Sequence, residues 1–238
     1  GKATEDYITA LRPDAIVHCA AYTAVDKAED DRDTCRKVNV DGTRNIALAC
    51  EKIGAKLVYI SSDYVFGGSG TQPLEIDAPK DPQNIYGITK LGGEEEAKKC
   101  QKHFIVRTSW VFGINGGNFV KTMLRLEKLT VVDDQTGSPT YTPDLARLIC
   151  GMIKTEKYGT YHASNEGYCT WAEFANEIMR QAGKATEIVP CTTAEYPAKA
   201  KRPENSRLSK KCLDDAGFDR LPPWQDALAR FLKELDLA

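Results

Sequence analysis

Lys56-Leu-Val-Tyr-Ile-Ser-Ser-Asp-Tyr64 is the stretch from which the fold is read. Residues Lys56 to Ser61 form a short apolar run that reads as a strand, and the run ends in hydroxyls, a carboxylate and a phenol. Upstream, Asp14-Ala-Ile-Val-His-Cys-Ala-Ala21 is a second, nearly continuous apolar run after a proline. Such a run suits a strand buried on both faces of a parallel sheet. Between the two, Val38, Ile46, Leu48 and Ala49 recur at helical spacing from about residue 31 to 52, and Gly54 is a suitable terminator. Downstream, the spacing predicts a helix over about 86–100, followed by a third strand, Phe104-Ile-Val-Arg-Thr108. Strands alternating with helices imply right-handed crossovers. The fold class is therefore α/β, a Rossmann-like doubly wound parallel sheet.

Ligands in such sheets bind beyond the carboxyl ends of the strands. That rule gathers Ala20 to Thr23, Ser61 to Tyr64 and Ser109 to Val111 around one crevice. The C-terminal third changes texture. Thr142-Pro143 reads as an N-cap with proline at the first helical position, and Thr170-x-x-Glu173 as a capping box opening a helix toward Gly183. A strand is expected at Leu129 to Val132, another within Tyr158 to Ala163, a Pro- and Lys-rich loop over 195–205, and an amphipathic helix over about 223–235. The expected division is a nucleotide-cofactor domain over 1–133 and a mainly substrate-binding lobe over 134–238, with some chain returning to the sheet.

A formal charge of −2 with interspersed signs leaves no basic field for nucleic acid and no polybasic segment for anionic lipid. No apolar run reaches the roughly 18 to 20 residues of a membrane span, and Gly1 to Thr9 lacks the apolar stretch of a secretory signal. A cytoplasmic protein acting on a small molecule is expected. The eight cysteines form no Cys-x-x-Cys pair and have no nearby histidine, so free thiols in a reducing compartment are expected and no metal site. His18, His103 and His162 have no acid or metal partner within sequence reach and receive no catalytic role.

Tyr86-Gly-Ile-Thr-Lys90 puts a phenol and an ammonium on one helix face, about one turn apart. A free tyrosine, with a pKa of about 10, exchanges protons poorly near neutrality, and a neighbouring cation favours the phenolate. By itself the spacing is common, and a surface tyrosine beside a solvated lysine is the ordinary reading. The strand ending in Ser61-Ser62 changes that, because a strand-end serine can hydrogen-bond a carbonyl that Tyr86 protonates.

With these motifs the sequence resembles the extended short-chain dehydrogenase/reductase family. The resemblance rests on His18-Cys-Ala-Ala-Tyr-Thr-Ala-Val-Asp26, Asn39-Val-Asp-Gly-Thr-Arg-Asn45, Tyr59-Ile-Ser-Ser-Asp-Tyr-Val-Phe66 and Tyr86-Gly-Ile-Thr-Lys90. Arg107-Thr-Ser-Trp110, Asp134-Gln-Thr-Gly-Ser-Pro-Thr-Tyr141 and Lys201-Arg-Pro203 bring it nearest to the dTDP-4-dehydrorhamnose reductases within that family. The resemblance implies reduction of C4 of dTDP-4-dehydro-6-deoxy-L-mannose to dTDP-L-rhamnose by NADPH or NADH. It implies Tyr86 as proton donor, Lys90 as the residue holding the nicotinamide ribose, and Ser62 orienting the keto oxygen. Asp63, Tyr64 and Trp110, with Ser62, match the sugar site, while Ala20, Ala21 and Thr23 match the segment passing along the cofactor. Bland readings stand beside these: Ala20 and Ala21 as small strand-end residues, Trp110 as packing, Asn39 and Asn45 as local bridges, Gly137 and Pro139 as turn formers.

The Gly-rich turn on which a dinucleotide pyrophosphate normally rests is not in this sequence, and Gly1-Lys-Ala-Thr4 already reads as a later helix. The stretches Leu126 to Leu129 and Leu74 to Asp77 also look short for the family. The expectation is an opening strand-helix-strand unit left out of the chain as given, not deleted from the protein. Two rivals remain open here. One is an epimerase or dehydratase of the same fold with NAD as internal shuttle; the other is a non-catalytic regulatory subunit like the methionine adenosyltransferase beta subunit. A homodimer is compatible with any of these.

Overall fold

The computed structural model describes residues 1–196 and 198–236; Pro197, inside the loop expected over 195–205, and residues 237–238 of the expected second lobe lie outside them. Four parallel strands form the central sheet in the order β1 (Ala15–His18), β2 (Lys56–Ser62), β3 (His103–Thr108) and β4 (Gly159–His162). The main helices are α1 (Lys2–Leu11), α2 (Gly42–Ile53), α3 (Ile85–Ala97), α4 (Thr142–Met152), α5 (Trp171–Gln181) and α6 (Trp224–Asp236). This is the Rossmann-like α/β fold expected.

The two-residue period of β2 divides the core. Leu57 and Tyr59 face Ala47, Cys50, Ala97 and Ile105 on the side covered by α2 and α3. Val58 faces Phe104, Val106, Leu145 and Ile149 on the side covered by α4. Burying each such aliphatic side chain is worth about 1.5 to 3 kcal/mol. A separate aromatic core, including Phe112, Tyr141, Phe174 and Phe231, lies among α5, α6 and the helix Phe119–Arg125. Beside it runs a parallel pair, Leu129–Val132 with Ile188–Cys191, of which the second strand was not expected. The strand within Tyr158 to Ala163 becomes β4, paired to β3 in the main sheet.

Three local readings need correction. First, β1 is an edge strand among the described residues: Val17 is 40% exposed and only His18 is buried, so the run is not buried on both faces. Second, the helix expected over 31–52 is not one regular helix. It runs as Arg32–Arg36, a π-helical turn at Lys37–Asp41, then α2. The wide turn carries Asn39, which is buried with its side chain committed to distant partners. Third, Thr142 is the first residue of α4, not its cap; Tyr141 precedes it with no side-chain capping bond, while Pro143 does sit in the first turn. The capping box at α5 is present: the Thr170 hydroxyl accepts from the Glu173 N–H at 3.1 Å, and the Glu173 carboxylate accepts from the Thr170 N–H at 2.7 Å. All eight cysteines are free. No described helix is long and apolar enough to cross a membrane.

Candidate active site

The end of β2 delivers Ser61, Ser62 and then a short 3-10 turn, Asp63–Val65. Ser62 caps that turn, accepting from the Tyr64 N–H at 3.2 Å while donating its one proton to Asp63 Oδ1 at 2.8 Å. Across from it, Asn84 caps α3 by accepting from the Gly87 N–H at 2.8 Å, which fixes where Tyr86 begins its turn of helix. Helix and strand end lie very close. A Cβ on Gly87 would sit 2.2 Å from the Tyr64 carbonyl oxygen, so only glycine permits this approach. Tyr64 and Tyr86 meet edge to face, their ring centroids 5.5 Å apart.

Lys90 lies one turn beyond Tyr86 and is buried. Its ammonium donates to the Ile60 carbonyl at 2.6 Å and stands 4.3 Å from the Tyr59 ring centroid, leaving two of its three protons for other acceptors. Burial lowers its pKa to about 8, with the Glu94 carboxylate acting in the opposite direction. Burial also pushes the Tyr86 phenol up to about 12; the Ser62 hydroxyl counters that rise and the Asp63 charge adds to it. Asp63 is almost wholly buried and is raised by burial to about 6, against the pull of the Ser206 and Ser62 hydroxyls. Its second oxygen is buried without a protein hydrogen-bond partner.

These groups open on a cleft of about 690 Å³ at the carboxyl edge of the sheet. Ser62, Asp63, Tyr64, Tyr86, Lys90 and Trp110 all line it, as do Ala21 and Thr23. Ala20 does not; it is exposed on the strand-to-helix connection, one residue out of the cleft wall. Trp110 adopts φ +48°, a left-handed conformation rare outside glycine, and its indole is clamped between Gly137 and Trp171. The two indoles stack at 3.5 Å between centroids and 11° between planes. Trp110 thus both packs and lines the cleft.

Sequence reading missed Trp171, Leu145 and Ile149, which wall the cleft from the C-terminal half. It also undervalued Asn39. The Asn39 amide donates to the Thr89 hydroxyl at 3.0 Å and to the Tyr22 carbonyl at 3.2 Å, and its oxygen accepts from the Tyr22 N–H at 2.8 Å. Asn39 therefore ties the loop after β1 to the helix carrying Tyr86 and Lys90. The π-turn could not be read from periodicity, so nothing in the sequence turned this residue inward. His18 is buried, and its Nε2 donates to Thr43 Oγ1 at 3.0 Å because the Thr43 proton is given to the Asn39 carbonyl.

A parallel sheet with a strand-end serine and a Tyr-x-x-x-Lys helix beneath one cleft defines an oxidoreductase of the short-chain dehydrogenase/reductase type. The model of the RmlD substrate binding domain matches residues 1–237, and the chain belongs to that family. It is 46% identical to the spore coat polysaccharide biosynthesis protein SpsK of Bacillus subtilis over 94% of this chain and 80% of that protein. It is 40% identical to the dTDP-4-dehydrorhamnose reductase of Escherichia coli strain K12 over 96% of this chain and 82% of that one. A crystal structure of dTDP-4-dehydrorhamnose reductase from Bacillus anthracis in complex with NADP superposes with a TM-score of 0.96 at 45% identity, covering 98% of this chain and 85% of that one.

Proposed function

We propose that this chain reduces the 4-keto group of dTDP-4-dehydro-6-deoxy-L-mannose to give dTDP-L-rhamnose, with NADPH or NADH as reductant. The observation that carries the reading is the convergence of Ser62, Tyr86 and Lys90 on one cleft beside the Trp110–Trp171 stack. The chain's residues fit the nicotinamide-ribose end of the cofactor. Lys90 offers two unused N–H donors at the cleft, and Ala21 and Thr23 provide a small-residue wall along which a flat ring can lie. A bound reduced nicotinamide supplies the hydride. Tyr86, with its pKa near 12, is fully protonated at neutral pH and gives its proton to the keto oxygen as negative charge develops there. Lys90 holds the ribose and stabilises the phenolate left behind. Ser62 donates to the same keto oxygen once its proton turns away from Asp63. Asp63 and Tyr64 contact the sugar, and Trp110 offers it the edge of its indole.

The proposal keeps the expected division of labour: residues 1–133 hold the cofactor, and the lobe built mainly from 134–238 holds the dTDP-sugar. Ala20 keeps a place in it only through its backbone beside the cofactor. Cytoplasmic location and homodimeric assembly belong to the same reading, the latter checked by mass photometry. Transfer of deuterium from 4-deuterated NADPH to C4 of the product tests the reaction itself. A product lacking that deuterium, with no NADPH consumed, would instead indicate a shuttle enzyme.

A further inference from the structure

Tyr86, Lys90 and Glu94 occupy one stripe of α3, each a turn from the next. Tyr86 and Lys90 have been assigned work above; Glu94 has not. It is completely buried, yet it is held as a carboxylate by two other elements. Ser61 of β2 donates to its Oε1 at 2.5 Å, while Arg107 of β3 donates from Nε to Oε1 at 2.8 Å and from Nη2 to Oε2 at 2.7 Å. A buried ion pair contributes little net stability compared with apolar residues of the same shape, so anchoring alone does not call for charge at this place.

The groups facing Lys90 show what the charge does. From β1 and its end come His18 and Cys19, from the helix Arg32–Arg36 comes Cys35, from β2 Tyr59, and from its own helix Tyr86 and Glu94. Burial holds His18 down at about 4 and pushes both thiols and both phenols up, so all five are neutral at pH 7. Glu94 is the only one of the six that carries charge. Arg107, although paired with Glu94, is not among the charges that act on Lys90, whereas Glu94 is. Arg107 Nη1 donates to the Ile76 carbonyl at 2.8 Å, lies 3.3 Å from His162 Nε2, and its Cζ stands 5.1 Å from the Phe66 ring centroid. Its positive field is felt at Lys80 and His162. Lys90 sees the negative end of the pair.

We propose that the Glu94–Arg107 pair is a positioning device for Lys90, keeping its amine protonated at the cleft and locking the Ile60–Ser61–Ser62 strand end against the helix stripe that carries Tyr86. Its catalytic consequence rests on the reductase reading, but its test does not. The Lys90 amine is titrated in the full-length protein by ¹³C NMR of the lysine Cε, with the resonance assigned by its loss in Lys90→Met. In the unaltered protein the amine is still protonated at pH 7 and titrates near 8. In the charge-neutral double variant Glu94→Gln/Arg107→Gln the midpoint falls by about one pH unit, the low end of what a nearby opposite charge contributes. Glu94→Asp, which keeps the charge, restores most of it. The proposal is overturned by an unmoved midpoint in a double variant with native circular dichroism. If that variant does not fold, an amine already neutral at pH 7 in the unaltered protein overturns it equally. Failure of the unaltered protein to oxidise NADPH counts against the reductase reading alone, since the titration is read without turnover.

Discussion

Tyr86→Phe removes one oxygen from the cleft and little else. The Tyr86 ring keeps its edge-to-face contact with Tyr64 at 5.5 Å, and the hydroxyl's polar neighbour in the protein is Ser62. Loss of one such interaction costs about 1 kcal/mol of stability at most, a shift of about 2 to 4 °C in Tm for a chain of this size. The effect on turnover is of another order. The phenol, pushed up to about 12, carries its proton at neutral pH and is the group assigned to the keto oxygen, while Ser62 directs its own proton to Asp63 and Lys90 is assigned to the ribose. General acid catalysis contributes about 10² to 10⁴ in rate, equal to about 2.7 to 5.5 kcal/mol in the barrier. Initial rates of NADPH oxidation at 340 nm should therefore show kcat down by at least about 100-fold. The sugar KM and the NADPH affinity, read by tryptophan fluorescence, should be nearly unchanged. Near-normal turnover would refute the role assigned to Tyr86, and a large fall in Tm would show the hydroxyl to be structural.

Other outcomes follow from the same geometry. Ser62→Ala is expected to lower kcat/KM about tenfold, the worth of one hydrogen bond, while Ser62→Thr keeps most activity; equal loss in both would remove Ser62 from the mechanism. Gly137→Ala places a Cβ 2.7 Å from Trp110 Cε2, which breaks the Trp110–Trp171 stack, so the sugar KM rises with a smaller change in kcat, and steady-state kinetics decide. His162 is buried beside Arg107, which holds its pKa down at about 3 together with burial, the larger effect. Its contribution to stability is therefore complete above about pH 6.5 and is lost as the pH falls toward 3, about 3 kcal/mol of it by pH 4. Urea unfolding of His162→Gln should show a shallower loss of stability between pH 6.5 and 4 than the parent; parallel curves would mean that other groups carry the acid sensitivity.

Much of the site was legible because strand ends and helix stripes obey short periods. A seven-residue strand ending in Ser61-Ser62 and a four-residue Tyr-to-Lys spacing place side chains without reference to distant chain. What the sequence hid depends on long-range packing. Trp171 enters the cleft only because α5 folds back onto Trp110, 61 positions earlier in the chain's order. Asn39 turns inward through a π-turn that has the same apolar spacing as an ordinary helix. Glu94 reads as one more charge in Glu94-Glu-Glu96, and only the partner Arg107 on β3 distinguishes it from its exposed neighbour Glu95.

The most direct test of the account is NADPH oxidation at 340 nm by the full-length protein, with and without dTDP-4-dehydro-6-deoxy-L-mannose. The account predicts oxidation that requires the sugar nucleotide and yields dTDP-L-rhamnose in equal amount. No sugar-dependent oxidation by protein whose intact mass and fold have been verified would contradict it, and would shift the weight to the shuttle enzyme or the regulatory subunit.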